Sequence, residues 1–559
     1  MINTSGIPTE SISISIKETQ KNGMRIAALN ASQYRVPASI AKAATTYAAL
    51  LELGENYRWS TKIYRDGDIS NGTLNGNLII KGFGDPSLDS KSVSQIVSYI
   101  KAKGISKISG NIIIDKSYFD TCDDCSAKFD ENPSSPYNAM PSALMFNENT
   151  TTIKIVKGNE IIQNIQDDSY DIINEIIPSD EPCRGRYSWP SVRIKYGDRA
   201  KVTLGGTISR SCPSISLTHL ITKSHLSFYG ALKEQLNSNG VNFTGSLKVK
   251  KTPNLVKEIA TIYSDTIFPI LGETNKKSNN LYARQIFLTI GAKRYEAPAT
   301  LEKSRKALVS IFEKNGIRHA TSFKLDNGSG LSRIAKVTTE GFESMLDHAY
   351  DKYQQRWLNA LSIAGVDGTI KRRFPQSLSR RVWMKTGTVN GVKNIVGYVK
   401  ANDGTMYTVA IIVNHRLSAS RGATLENQII IWLANGNASQ FATEDTKRKE
   451  EIEVRVEETQ QLRKLENYES KEQPEIFKQT SEYSNRTENL FIQVGIFDKS
   501  INRELERKIK SHGFGYKTIN SELGHKVLVG PFDSKKDAIN SLQKIREDIA
   551  PDAFLVQPK

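Results

Sequence analysis

The sequence predicts a mixed α+β protein: an interrupted larger domain, a β-rich insertion within it, and a small βαββαβ domain at the C-terminus. Three observations carry this. Residues 60–250 are dense in short β-type runs such as Leu78-Ile79-Ile80 and Ile112-Ile113-Ile114, punctuated by Gly, Asn and Asp turns. Helical segments return from about 255 to 440, followed by β-runs at 381–389, 393–400 and 406–414. Residues 489–558 alternate strand, helix, two strands, helix, strand.

Taken in order, residues 1–36 read as two short strands around a turn at Lys21-Asn22-Gly23, the first announced by Ser11-Ile12-Ser13-Ile14-Ser15-Ile16. A helix is expected from about Pro37 to Leu53. Proline suits a first helical turn, and the Ala-rich stretch after it argues for burial. A helix from about Thr424 to Ala434 closes this part. The expected domains are 1–60 with 255–440, the insertion 61–254, a Glu-rich charged linker 441–487, and 488–559.

The 559 residues carry a formal charge of +16. Phe441–Thr487 holds 9 basic and 12 acidic residues and 488–559 holds 12 and 10, so the excess lies in the first 440. An acidic partner is implied, but no basic cluster with interleaved aromatics accompanies it, and no nucleic-acid partner is expected. No run of about 18 apolar residues exists, so no transmembrane helix is expected. The seven histidines show no metal-ligand spacing, so no metal or cofactor is expected. Four cysteines, Cys122, Cys125, Cys183 and Cys212, allow three disulfide connectivities; Cys122–Cys125 with Cys183–Cys212 is preferred. No signal peptide is visible, as Met1 leads almost directly into a strand pattern.

Ser39-Ile40-Ala41-Lys42 places a lysine three residues after a serine at a helix start, where the two side chains are neighbours. Serine is a weak nucleophile until a base takes its proton. Lysine serves only when neutral, a state that burial and nearby cations favour. Ser98-x-x-Lys101 and Ser541-x-x-Lys544 share the spacing, so the motif is informative only in company. Ser278-Asn279-Asn280 and the unique Lys385-Thr386-Gly387-Thr388 supply it, although Ser500-Ile501-Asn502 shows how weak Ser-x-Asn is alone. The order Ser-x-x-Lys, Ser-x-Asn, Lys-Thr-Gly is the signature of penicillin-recognising serine enzymes.

The chain resembles the class C low-molecular-mass penicillin-binding proteins, the D-alanyl-D-alanine carboxypeptidase/endopeptidase family, over roughly residues 8–435. Further matching runs are Val36-Pro37-Ala38-Ser39, Gly82-Phe83-Gly84-Asp85-Pro86-Ser87-Leu88, Pro136-Tyr137-Asn138-Ala139, Asp326-Asn327-Gly328-Ser329-Gly330-Leu331-Ser332-Arg333 and Ala364-Gly365-Val366-Asp367-Gly368-Thr369. The resemblance implies a penicillin-binding-protein/β-lactamase-like domain split by the insertion, acting on peptidoglycan stem peptides and inhibited by β-lactams. It implies that Ser39 is acylated, Lys42 takes its proton, Ser278 relays a proton toward the leaving amine, and Asn280 orients the substrate amide. Lys385 adds positive charge, the hydroxyls of Thr386 and Thr388 suit the terminal carboxylate, and the N–H groups of Ser39 and Thr388 form the oxyanion hole. A side chain at Gly387 would crowd the substrate. The family implies a periplasmic, exported form of the chain.

Phe491-Ile492-Gln493-Val494-Gly495-Ile496-Phe497, Val527-Leu528-Val529-Gly530-Pro531-Phe532 and Ala553-Phe554-Leu555-Val556 resemble a SPOR domain, which implies binding to peptidoglycan glycan strands. Alternation sends Ile492, Val494 and Ile496 toward the helices and Phe491, Gln493 and Phe497 outward as candidate sugar contacts. The alternatives are a β-lactamase-like hydrolase, a non-enzymatic wall-binding scaffold, and a cytoplasmic protein.

Overall fold

The computed structural model describes residues 1–20, 23–122, 129–163, 169–197, 199–438, 490–497, 501, 503–521, 524–532, 535–550 and 553–556. The chain forms two compact units, Met1–Val454 and Arg455–Lys559. The expected linker 441–487 and residues Lys21 and Asn22 of the first turn lie outside the described residues.

Strands β1 (Ile12–Glu18) and β2 (Arg25–Leu29) pair antiparallel. A 3-10 turn, Ala38–Ile40, then leads into helix α1 (Ala41–Leu53), so the helix expected from Pro37 begins as a tighter turn. The insertion is organised on a five-stranded sheet. Its strands are β3 (Ser60–Arg65), β4 (Leu78–Gly82), β5 (Ile112–Asp115), β6 (Leu247–Val249) and β7 (Lys257–Tyr263), in the order β6-β5-β4-β3-β7. Because β7 pairs with β3, this sheet reaches past residue 254 to Tyr263. Two three-stranded sheets between Thr151 and His219 enclose a separate apolar cluster, beside which Cys183 and Cys212 form a disulfide. The other expected pairing involves Cys125, which lies outside the described residues.

Helices α2 (Asn280–Tyr295) and α3 (Thr339–Asn359) return the chain to the larger domain. Strands β8 (Ser362–Ile363), β9 (Val382–Val389), β10 (Val392–Lys400) and β11 (Met406–Asn414) and helix α4 (Ala423–Ala434) complete it. The sheet order is β8-β9-β10-β11-β1-β2, so the first strand of the chain is zipped onto the last of this unit. Helices cover both faces. Ile12, Ile14 and Ile16 pack with Val409, Ile411 and Val413 against Leu425, Ile429 and Leu433 of α4. Ser13, Ser15 and Lys17 point the other way and are equally buried, with Ser15 bonded to Glu343 and Lys17 paired to Asp347 of α3. Polar residues at alternate positions usually mark a wet face; here they meet charges presented by a covering helix.

The second unit contains β12 (Leu490–Phe497), α5 (Arg503–Ser511), β13 (Tyr516–Ser521), β14 (Gly524–Phe532), α6 (Lys535–Asp548) and β15 (Phe554–Val556). This is the expected βαββαβ order, folded as a sheet β13-β14-β12-β15.

Candidate active site

Helix α1 is apolar nearly all round, with Ala41, Ala43, Ala44, Tyr47, Ala48 and Leu50 buried, which places it inside the first unit. That burial carries Lys42 inside with it, at 0% exposure. The turn before it lies over β9 and β10. Asn394 of β10 donates to the carbonyls of Val36 (3.0 Å) and Pro37 (2.7 Å), and Asn414 of β11 accepts from the Val36 N–H (2.7 Å). Ala38 is thereby held at φ 47°, a conformation that costs a β-carbon-bearing residue energy. Ser39 follows it and remains partly open to solvent.

Two of the expected groups and one unexpected carbonyl converge on the Lys42 amine. Lys42 Nζ lies 2.9 Å from Ser39 Oγ, 2.7 Å from Asn280 Oδ1 and 2.6 Å from the Ser329 carbonyl. The last two can only accept, and the Asn280 amide is oriented by its own Nδ2 donating to the Tyr137 carbonyl (3.1 Å). A neutral lysine has two N–H bonds and one lone pair. Two donors for two acceptors leave the lone pair facing the Ser39 hydroxyl. Burial, then the charges of Lys385 and Arg284, hold Lys42 well below the ordinary lysine range, a shift that favours the neutral form relative to a free lysine.

The remaining pair joins β9, which carries Lys385, to Ser278, just ahead of α2. Lys385 Nζ donates to Ser278 Oγ (3.0 Å) and to the Thr386 carbonyl (2.8 Å). Burial lowers Lys385 to about 7. Ser39, Lys42 and Asn280 thus form one cluster and Ser278 with Lys385 a second, their two lysines close enough to repel one another. Thr386 Oγ1 donates to Thr369 Oγ1 (2.8 Å), and Thr388 is exposed. Strand β8 pairs with β9 only at Met384 and Trp383, so residues 385–388 have no strand partner on that side among the described residues. That free edge can take an extended peptide.

Gly387 has a reason beyond the expected one. A β-carbon there would lie 2.8 Å from Pro37 O and 3.1 Å from the N atoms of Ser39 and Ile40. The turn that carries Ser39, packed directly on β9, forbids a side chain. Gly330 (φ 78°) does the same from the other side, where a β-carbon would fall 1.8 Å from Ala38 O. The loop 326–333 therefore both shapes the turn and supplies the Ser329 carbonyl.

Several participants had little or no signal. Ser329 and Tyr137 act through backbone oxygens, which no residue type announces. Arg284, nearly enclosed in α2 and lowered to about 10 by burial, donates to the Ala139 carbonyl. Asn394, wholly buried beside Ile395 and Val396 of the same strand, was detectable as a polar residue at a core position. A cavity of about 870 Å³ borders Asn138, Arg284, Asn327 and Arg333.

In the second unit, two of the three candidate glycan contacts keep their expected face but not their expected exposure. Gln493 pairs with Leu528, while neighbouring Ile492 pairs with Val529 and joins the core. Phe491 and Gln493 are nonetheless only 4% and 8% exposed, and Lys517 Nζ sits 3.9 Å from the centre of the Phe491 ring. Phe497 changes face: the register slips between Gln493 and Gly495, the alternation is displaced by one, and Phe497 packs with the core. The open aromatic on the sheet is Phe554, 47% exposed and paired with Gln493.

A buried lysine of lowered basicity within hydrogen-bond reach of a serine suits an acyl-transfer hydrolase, and the second Lys–Ser pair beside an open strand edge is in keeping with the penicillin-recognising serine enzymes. The chain belongs to the D-Ala-D-Ala carboxypeptidase 3 (S13) family, which matches residues 2–436, and residues 487–557 match the SPOR domain. It is 26% identical over 403 residues to the D-alanyl-D-alanine carboxypeptidase DacB of Haemophilus influenzae, a match covering 70% of this chain and 82% of that protein. The crystal structure of penicillin binding protein 4 from the same organism superposes with a TM-score of 0.66 at 25% identity, covering 76% of this chain and 96% of that one. The structure of that protein complexed with a β-lactam gives a TM-score of 0.61, also at 25% identity, covering 75% and 96%.

Proposed function

We propose that this D-Ala-D-Ala carboxypeptidase trims stem peptides and opens D,D-cross-links of peptidoglycan in the periplasm, through an acyl-enzyme on Ser39. The observation that carries the reading is the hydrogen-bond arithmetic at Lys42, which leaves a lone pair for the Ser39 proton. Ser39 Oγ attacks the penultimate D-Ala carbonyl as its proton passes to Lys42. The N–H groups of Ser39 and Thr388 take the developing oxyanion; losing one such donor costs roughly 10²–10³ in rate. Ser278, held on Lys385, passes a proton to the departing D-Ala amine, and water then releases the acyl group. The terminal carboxylate lies near Lys385, Thr386 and Thr388, the peptide runs along the free edge of β9, and the cavity beside Arg284 and Arg333 gives the stem peptide room. β-Lactams acylate the same serine and leave slowly. The SPOR unit holds the enzyme on glycan strands. The Cys183–Cys212 disulfide fits an oxidising compartment, and no helix among the described residues is long and apolar enough to cross a membrane.

Incubation of the full chain with a pentapeptide muropeptide tests this by the release of D-Ala. Wild type is expected to yield the tetrapeptide, and Ser39→Ala to lose on the order of 10⁴-fold or more in turnover. D-Ala release by Ser39→Ala at the wild-type rate would contradict it.

A further inference from the structure

Asn279, between the two acting members of Ser278-Asn279-Asn280, uses both ends of its amide. Its Oδ1 accepts from the backbone N–H groups of Leu281 (3.0 Å) and Tyr282 (3.1 Å), capping α2. Its Nδ2 donates to Glu148 Oε2 at 2.8 Å. Glu148 belongs to the insertion, 131 residues away in the chain.

The backbone that presents Glu148 is unusual. Asn147, Glu148 and Asn149 have φ of 48°, 55° and 53°, three successive left-handed residues without a glycine. Such a run is disfavoured for every residue with a β-carbon and persists only where its surroundings impose it. Here the Asn147 N–H donates to Leu88 O (2.8 Å), Asn147 Nδ2 to Thr150 O (2.9 Å) and Thr150 Oγ1 back to Asn147 O (3.0 Å). Across the bond, Ser278 is also left-handed, at φ 57°. Two strained segments, one in each domain, are thus tied together through Glu148 and Asn279.

The tie is one rung of a ladder. Asn280 donates to Tyr137 O, Arg284 to Ala139 O, and Gln285 exchanges hydrogen bonds with the backbone of Ser142 at 2.9 and 3.0 Å. The first turns of α2, which carry the reacting groups, are docked along one strip of the insertion, residues 137–148.

We propose that Glu148 is a positioning residue: by fixing Asn279 it holds the Ser278 hydroxyl on Lys385 and the Asn280 carbonyl oxygen on Lys42, making the insertion part of the enzyme. This rests on the acyl-enzyme reading above. Its signature is chemical, since an accepting oxygen at the right reach is what the site requires. Glutamine provides that oxygen without the charge. Aspartate keeps the charge but falls one methylene short.

The test is stopped-flow acylation of the full chain by a fluorescent penicillin, resolved into the initial binding constant and the acylation step, with a thermal midpoint for each variant. Glu148→Ala and Glu148→Asp are expected to slow the acylation step roughly 10- to 100-fold with initial binding unchanged. Glu148→Gln is expected to stay within about twofold of wild type, and Glu148→Ala with Asn279→Ala to be no slower than the slower single variant. Wild-type acylation by Glu148→Asp, or equal slowing by Glu148→Gln and Glu148→Asp, overturns the proposal. Should Glu148→Ala fail to fold, the Gln and Asp pair decides alone. Wild-type protein that is not acylated at all would instead overturn the acyl-enzyme reading.

Discussion

Strands β9 and β12 both present a candidate site on an alternating run, and they behave differently. β9 is paired with β10 without a register break from Val382 to Val389, so the alternation read from the sequence survives. Lys385 and Gly387 point together at α1 and its turn, and Thr386 and Thr388 point away. β12 slips twice against β14, between Leu490 and Ile492 and between Gln493 and Gly495. Phe497 therefore lands on the side opposite to its expected one. Period-two reasoning is reliable while pairing is regular, and one bulged residue reverses everything beyond it.

Breaking the regular strand is expected to have the largest effect. Gly387→Ala would drive its methyl into Pro37 O and displace the Ser39 turn, lowering penicillin acylation by on the order of 10²-fold. Acylation kinetics check this. An unaffected rate would mean the turn is not held by β9.

The two lysines give the next effect, read from pH. In the proposed mechanism Lys42 acts while neutral, so activity is expected to fall on the acid side as it gains a proton. In the same mechanism Lys385 acts while charged, so activity is expected to fall on the alkaline side as pH rises through about 7 in the free enzyme. The kcat/KM profile for peptide hydrolysis is expected to be bell-shaped, falling up to tenfold per pH unit on each limb. Lys385→Arg keeps the charge and is expected to move the alkaline limb upward; an unmoved limb would assign it to another group.

The irregular strand yields the smallest and most local effects. Phe554→Ala in the full chain is expected to weaken binding to amidase-treated sacculi by a few-fold, about 1 kcal/mol, leaving stability unchanged. Phe491→Ala is expected instead to destabilise the second unit by about 3 kcal/mol, because its ring is buried. Chemical denaturation and sacculus pull-down separate the two. The reverse pattern would restore Phe491 as a surface contact.

The layout of elements was legible because motif, turn and periodicity agree along most of the chain. That Ser39 would meet Lys42 and Asn280, and Ser278 meet Lys385, was legible because the three motifs occur in a fixed order with fixed residue types. What escaped is what the fold alone supplies. Ser329 and Tyr137 contribute carbonyls. Glu148 reaches Asn279 from another domain. The polar face of β1 looks wet until α3 covers it with Glu343 and Asp347.

The central claim is that Ser39 is the acylated nucleophile and Lys42 its base. Mass spectrometry of the intact full chain after brief exposure to a penicillin, followed by peptide mapping, tests it most directly. One adduct is expected, on the peptide containing Ser39, absent from Ser39→Ala and slowed on the order of 10²–10⁴-fold in Lys42→Ala. An adduct on another serine, or undiminished labelling of Ser39→Ala, would contradict the account.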